Sequence, residues 1–281
     1  MVRDGASRLL TMRSQDNTRL HGNKSAMTLT LETRDLTIRF GGHVAVDHVS
    51  CTFRPGELTA IVGPNGAGKT TYFNLISGQL PASEGQVLLG GTDITKYSAP
   101  LRTRAGLGRA FQLTNLFPNL TVEENVRLAV QAASGVHYDM LRPWMKRADL
   151  IARADAILDG VALGTRRGVA ATALSHGDQR KLEVALMMAL EPKVFMFDEP
   201  TAGMSVDEVP VVLDLIARLK QDPSKIILLV EHKMDVVRSL ADRIIVLHNG
   251  RLVADGPPAE VIASPIVQEA YLGIAPGKSA A

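Results

Sequence analysis

The stretch "GELTAIVGPNGAGKTTYFNLISGQL", residues 56–80, decides the fold. Its apolar run "TAIVG" reads as a strand, the glycine-rich segment after it as a loop, and the residues from about Lys69 as a helix, in the order strand, loop, helix. Within it "GPNGAGKTT", Gly63 to Thr71, satisfies G-x-x-x-x-G-K-S/T in the structural context that gives that string its meaning. Gly63, Gly66 and Gly68 carry no Cβ, so the backbone can curl tightly and aim successive N–H groups at phosphate oxygens. The N-terminus of the following helix adds its partial positive charge. Lys69 is expected to reach the β and γ phosphates of a nucleotide, and Thr70 to offer a hydroxyl ligand to Mg²⁺. Asn65, Ala67 and Thr71 complete the phosphate-binding loop.

Working outward, "LTLETRDLTIRF", "VDHVSCTF" and "ELTAIVG" read as three strands, with glycine and proline as punctuation. Beyond "GLGRAFQ" strand signals lapse until Lys193. Residues 121 to 190 instead carry helical spacing in "VEENVRLAVQAA", "ADLIARADAILDGV" and "DQRKLEVALMMAL", which predicts a helical lobe inserted into an α/β core. "KVFMFD" and "KIILLV" then return as continuous apolar runs, the pattern of parallel strands buried on both faces. "VDEVPVVLDLIARLK" predicts a helix between them. In "RIIVLHNGRLVADG", Asn249 and Gly250 separate two apolar runs and predict a hairpin, since both central residues of that turn need positive φ.

A phosphate loop needs an acid to hold magnesium, and "KVFMFDEP" supplies one at the end of a buried strand. Asp198 is the expected magnesium residue, and Glu199, leaving the strand toward the same cleft, the expected base for an attacking water. His232, after "KIILLVE", stands where ligands of open α/β sheets bind and could donate to the γ-phosphate. Gln112, in "GRAFQLTNLFP", also follows a strand-like run and could contact both Mg²⁺ and water.

Composition excludes several classes. The chain has 281 residues, 46% of them hydrophobic, enough for one large domain or a core with a sub-lobe. Its 31 basic and 29 acidic residues leave a net charge of +2, so no global field favours nucleic acid. The longest apolar runs stop short of the roughly 20 residues that span a bilayer. The single cysteine, Cys51, fits a reducing compartment and reads as a small buried apolar group. Residues 1–27 are polar, lack the apolar region of a secretory signal and are expected to be an unstructured extension.

One segment remains: "LSHGDQRKLEVALMMAL", residues 174 to 190, a small polar loop ahead of an apolar helix. Ser175 offers a hydroxyl, Gly177 permits close backbone approach, and the helix N-terminus presents N–H groups suited to an anion. The phosphate loop, "FQ", "LSHGDQ", "FDEP" and "VEH", in this order, resemble the ATP-binding subunit of ABC transporters over residues 28 to about 273. That resemblance implies an α/β fold: a P-loop NTPase core of the RecA-like type, with an N-terminal antiparallel β region and an inserted helical subdomain. The core would occupy residues 28–112 and 191–281 and the helical part about 113–190.

The resemblance further implies that "LSHGDQ" faces ATP held by the phosphate loop of a second, identical or homologous, ATPase subunit, so that two nucleotides are sandwiched in a head-to-tail dimer. Phe40 matches the aromatic that stacks on adenine. Three positions depart from the common pattern: His176 and Asp178 in the loop ahead of the helix, and Ser205, where aspartate is frequent. Asp178 is expected to turn toward ribose or solvent, because a carboxylate facing phosphate is repelled. "RFGGHVAVDHVS", the insert with Tyr138 and Trp144, and the ending "PIVQEAYLG" resemble the ATPases of branched-chain amino acid importers and their amide and urea relatives. Such a subunit hydrolyses ATP on the cytoplasmic face of the cell membrane. It acts through permease subunits, one of whose helices docks near Gln112, and indirectly with a solute-binding protein. A soluble ABC-type switch and the ATPase of a lipid or lipopolysaccharide export complex are the competing readings.

Overall fold

The computed structural model describes residues 29–110, 116–134 and 148–272. Gln112, Tyr138, Trp144 and the stretch 1–27 lie outside them. The described strands are β1 (Leu31–Phe40), β2 (His43–Phe53), β3 (Leu58–Val62), β4 (Glu84–Leu89), β5 (Thr92–Asp93), β6 (Leu107–Ala110), β7 (Val194–Asp198), β8 (Ile226–Val230), β9 (Arg243–His248) and β10 (Arg251–Gly256). They form an antiparallel sheet in the order β2-β1-β4-β5 and a second sheet in the order β10-β9-β3-β8-β7-β6. In the second, β3 pairs parallel with β8 and β9, and β7 pairs parallel with β6 and β8. Only β10 joins antiparallel, through the hairpin at Asn249 (φ 48°) and Gly250 (φ 77°), both in the left-handed region the sequence requires.

Strands β3, β7 and β8 are buried at every position, which explains their unbroken apolar runs. Alternate residues feed opposite cores. Val194 and Met196 pack with Tyr72, Phe73 and Ile76 of helix α1 (Lys69–Ser77). Phe195 and Phe197 join Leu182 and Ala185 of helix α5 (His176–Leu190) and Ile216 of helix α6 (Val209–Lys220). Each such large apolar side chain contributes about 1.5–3 kcal/mol on burial, so the sheet ends are held rigidly between two packed layers.

Helices α3 (Val122–Ala133), α4 (Ala148–Gly160) and α5 fall between β6 and β7 in the chain. Val122, Val126 and Val130 line one face of α3, and Leu150, Ala154 and Leu158 one face of α4; both stripes recur every four residues and are buried in one cluster. A capping box starts α3: the Glu124 N–H donates to Thr121 Oγ1 at 3.2 Å, and the Thr121 N–H to Glu124 Oε2 at 2.8 Å.

The structure differs from the sequence reading at several boundaries. Strand β2 begins at His43, and α6 begins at Val209 because Pro210 occupies its first turn and the residues before it form a turn. Strands β4 and β5 and the short helices α2 (Ala99–Ala105), α7 (Met234–Leu240) and α8 (Pro258–Ala263) carry too few residues to show a period. Cys51 is buried as expected, and burial pushes its thiol up to about 11.

Candidate nucleotide site

The phosphate loop joins β3 to α1 and is pressed against the sheet. Gly63 has φ 150°, and a Cβ there would lie 2.2 Å from the Leu247 carbonyl oxygen; Gly68 has φ 97°, and its Cβ would lie 2.5 Å from the Ala45 carbonyl oxygen. Both contacts are to backbone, so glycine is required at each. Asn65, Gly66 and Thr70 are exposed on the open side, Thr71 is half-buried, and Ala67 is buried. Lys69 Nζ donates to the carbonyls of Gly63 (2.7 Å) and Pro64 (3.0 Å). Burial pushes its pKa down, against the opposing pull of Glu199 and Asp198, which places both acids within electrostatic reach of the loop.

Asp198 ends β7, only 8% exposed, and its Oδ2 accepts from Arg109 Nη2 at 2.7 Å. Burial raises the Asp198 pKa, opposed by Arg109; burial likewise lowers that of Arg109, opposed by Asp198. Glu199 follows with φ 50°, a left-handed conformation that costs a non-glycine residue roughly 1–2 kcal/mol. Its N–H donates to the Val230 carbonyl at 2.9 Å. This twist ends the strand and leaves the carboxylate 41% exposed, beside His232, whose Nδ1 is 3.9 Å away. Strain of this kind concentrates at functional positions.

His232 is held from behind by a residue the sequence analysis passed over. Glu231 is fully buried; its Oε1 accepts from Thr201 Oγ1 (2.5 Å), and its Oε2 from the backbone N–H groups of His232 (2.8 Å) and Lys233 (3.1 Å). The Glu231 side chain thus fixes the loop that carries the histidine. The structure therefore gathers Lys69, Asp198, Glu199 and His232 at the C-terminal ends of β3, β7 and β8.

The "LSHGDQ" segment exposes Ser175 and His176 between the buried Leu174 and Gly177. Ser175 caps α5, accepting from the Asp178 N–H at 3.2 Å, and its side chain faces out. The Asp178 carboxylate pairs with Lys181, one turn on, at 2.7 Å. Gly177 is buried beneath Glu208, whose Oε1 would lie 2.1 Å from an added Cβ. Glu208 Oε2 in turn accepts from Ser205 N (3.2 Å) and Oγ (3.0 Å). Ser205 therefore has a local partner in the residue three positions on, the spacing of a capping box just ahead of α6. Phe40 sits beside the β1–β2 turn, 50% exposed and so available for stacking.

Between β6 and the helices α2, α3 and α5 lies a groove of about 630 Å³, lined by Phe117, Leu128, Leu186, Met187 and Leu190 together with Arg109. No helix among the described residues is long and apolar enough to cross a membrane.

Comparison with known proteins gives consistent results. Residues 46–202 match the family model described as ABC transporter, and residues 251–275 the one described as branched-chain amino acid ATP-binding cassette transporter. The high-affinity branched-chain amino acid transport ATP-binding protein LivG of Escherichia coli (strain K12) is 37% identical over 248 residues, covering 86% of this chain and 97% of that protein. The high-affinity branched-chain amino acid transport ATP-binding protein BraF of Pseudomonas aeruginosa is 35% identical over the same shares of the two chains. Among solved structures, the ADP conformation of MJ1267, an ATP-binding cassette of an ABC transporter, superposes with a TM-score of 0.74 at 29% identity, covering 88% of this chain and 99% of that one.

Proposed function

Because the chain belongs to the ABC transporter family of ATP-binding subunits, we propose that it binds and hydrolyses ATP to drive uptake of branched-chain amino acids, or related small polar solutes such as amides or urea. Transport runs through separate permease subunits. The observation that carries this reading is the convergence of Lys69, Asp198, Glu199 and His232 at one end of the parallel sheet, around a loop whose glycines pack against backbone.

In this reading the phosphate loop supplies N–H donors from Gly63 to Thr71, and Lys69 exchanges its two carbonyl partners for the β and γ phosphates. Phe40 stacks on the adenine. Glu199, turned off the strand, accepts the proton of the attacking water, and His232 donates to the γ-phosphate from a loop tied down by Glu231. Thr70 and Asp198 offer hard oxygens suited to Mg²⁺, with Gln112 the third residue that the family resemblance implies; the ion needs few protein ligands because phosphate and water oxygens complete its shell. Among the described residues no cluster of three or more His, Cys, Asp or Glu competes for that role. Bound there, magnesium neutralises charge on the β and γ oxygens.

The site is half of a pair. Ser175 stands exposed at the start of α5, where an anion is favoured, and with the backbone at Gly177 serves the nucleotide of a second cassette, identical or homologous. ATP binding closes the two cassettes, and hydrolysis reopens them. Shifting such an equilibrium from 1:99 to 99:1 takes about 5.5 kcal/mol of differential affinity, divided between two shared nucleotides. In this reading the chain divides into an α/β core of residues 28–112 and 191–281 and a helical part of about 113–190. A permease helix docks between the core and the helical part, in the groove lined from β6, α2, α3 and α5, and holds the subunit peripherally on the cytoplasmic face of the membrane. A solute-binding protein acts on the far side.

Replacing Glu199 by Gln tests this function: nucleotide binding is retained while turnover nearly stops. Wild-type turnover in that variant contradicts the base assignment.

A further inference from the structure

Arg109 is the most heavily engaged polar side chain near the site, and nothing in the nucleotide chemistry above uses it. It sits on β6, two residues beyond Leu107, with its side chain 9% exposed. Its Nη1 donates to Asn74 Oδ1 and Ser77 Oγ, both at 2.7 Å, and its Nη2 to Asp198 Oδ2 at 2.7 Å. The guanidinium carbon lies 4.9 Å from the centroid of the Phe73 ring, which fixes its plane. Its buried Nε has no hydrogen-bond partner among the described residues.

Two of these partners stand in the last turn of α1, whose first turn carries Lys69 and Thr70; the third is the acid at the end of β7. Helix α1 is nine residues long and packed along its length, so it behaves as a rod. A brace between its C-terminal turn and Asp198 therefore sets the separation between the Thr70 hydroxyl and the Asp198 carboxylate. A buried ion pair of this kind is weak ground for stability, because desolvation offsets the attraction. What a planar fork with fixed partners provides is geometry, and lysine, with one ammonium, cannot engage all three oxygens in the same way.

We propose that Arg109 is a positioning residue: by bracing Asn74 and Ser77 of α1 against Asp198, it holds the two halves of the Mg²⁺-nucleotide site in register. This rests on the assignment of Thr70 and Asp198 to magnesium made above. Outer partners of metal-binding carboxylates typically affect affinity by about 10- to 100-fold.

The test is a Mg²⁺ titration of the binding of a fluorescent ATP analogue to the full-length chain, alongside the analogue's affinity in EDTA. Arg109→Gln is expected to raise the Mg²⁺ concentration at half-saturation by roughly 10-fold or more, with the EDTA affinity within about twofold of wild type. Arg109→Lys, which keeps the charge and serves if the Gln variant does not fold, shifts the midpoint in the same direction but less. Asp198→Asn is the control. If it shifts the midpoint while folded Arg109 variants do not, Arg109 only packs and the proposal is overturned. If Asp198→Asn leaves the midpoint in place, the magnesium assignment has failed and the brace with it.

Discussion

Gly177→Ala separates fold from function more sharply than any other single change. A methyl group at residue 177 would sit 2.1 Å from Oε1 and 2.3 Å from Cδ of Glu208. The obstacle is the end of a flexible side chain, so Glu208 can swing away, releasing its bonds to Ser205 at a cost of about 1 kcal/mol. Alanine in a helix is worth about 1 kcal/mol over glycine, which offsets most of that loss. The residual change is below about 1 kcal/mol, equivalent in a chain of this size to a Tm shift within about 2–4 °C. The displaced Glu208 carboxylate brings negative charge to the start of α5, the end proposed to approach the partner's γ-phosphate. Thermal denaturation and ATP-dependent turnover, measured on one preparation, are therefore expected to diverge: Tm nearly unchanged, turnover largely lost, EDTA-insensitive nucleotide binding kept. A Tm fall well beyond 4 °C would show that Glu208 cannot move, and wild-type turnover would refute the requirement for close approach at Gly177.

Two further outcomes follow from the geometry. Gly68→Ala places a Cβ 2.5 Å from a backbone oxygen at φ 97°, where nothing flexible can yield, so both nucleotide binding and Tm fall; retained binding by fluorescence titration contradicts the packing of the loop. Hydrogen bonds from Thr95 and Ser224 hold Asp93 and Asp222 below their ordinary value of 3.8. The unfolded chain thus binds those protons first: the stabilisation is complete above about 3.8 and is lost as pH falls through the lowered values. Asp93→Asn is expected to flatten the acid limb of a stability-against-pH curve, and an unchanged limb argues against it.

The centre of the fold is legible in the sequence because independent demands coincide there. Residues 58–77 combine a buried apolar run, glycines that only a tight loop needs and a helix, and Asn249–Gly250 offers the two positive φ angles its turn requires. Asp198 and Glu199 are readable from their place after "KVFMF". Arg109, Glu231 and Glu208 are not, because each acquires meaning only from a partner brought close by the fold. Arg109 and Asp198 are 89 residues apart and meet because β6 and β7 pair in parallel; Thr201 and Glu231 are 30 apart and meet beyond the ends of β7 and β8. Asp178 pairs with Lys181 for a local reason: the cation stands one turn on, on the same face of α5.

The composite nature of the nucleotide site is tested most directly by the mass in solution of Glu199→Gln saturated with ATP, with and without Ser175→Arg in the same chain. The account predicts a dimer carrying two ATP molecules for the single variant, and for the double variant monomers that still bind one ATP each. A double variant that remains dimeric, or a single variant that saturates with ATP while every chain stays solitary even beside its partner cassette, contradicts it.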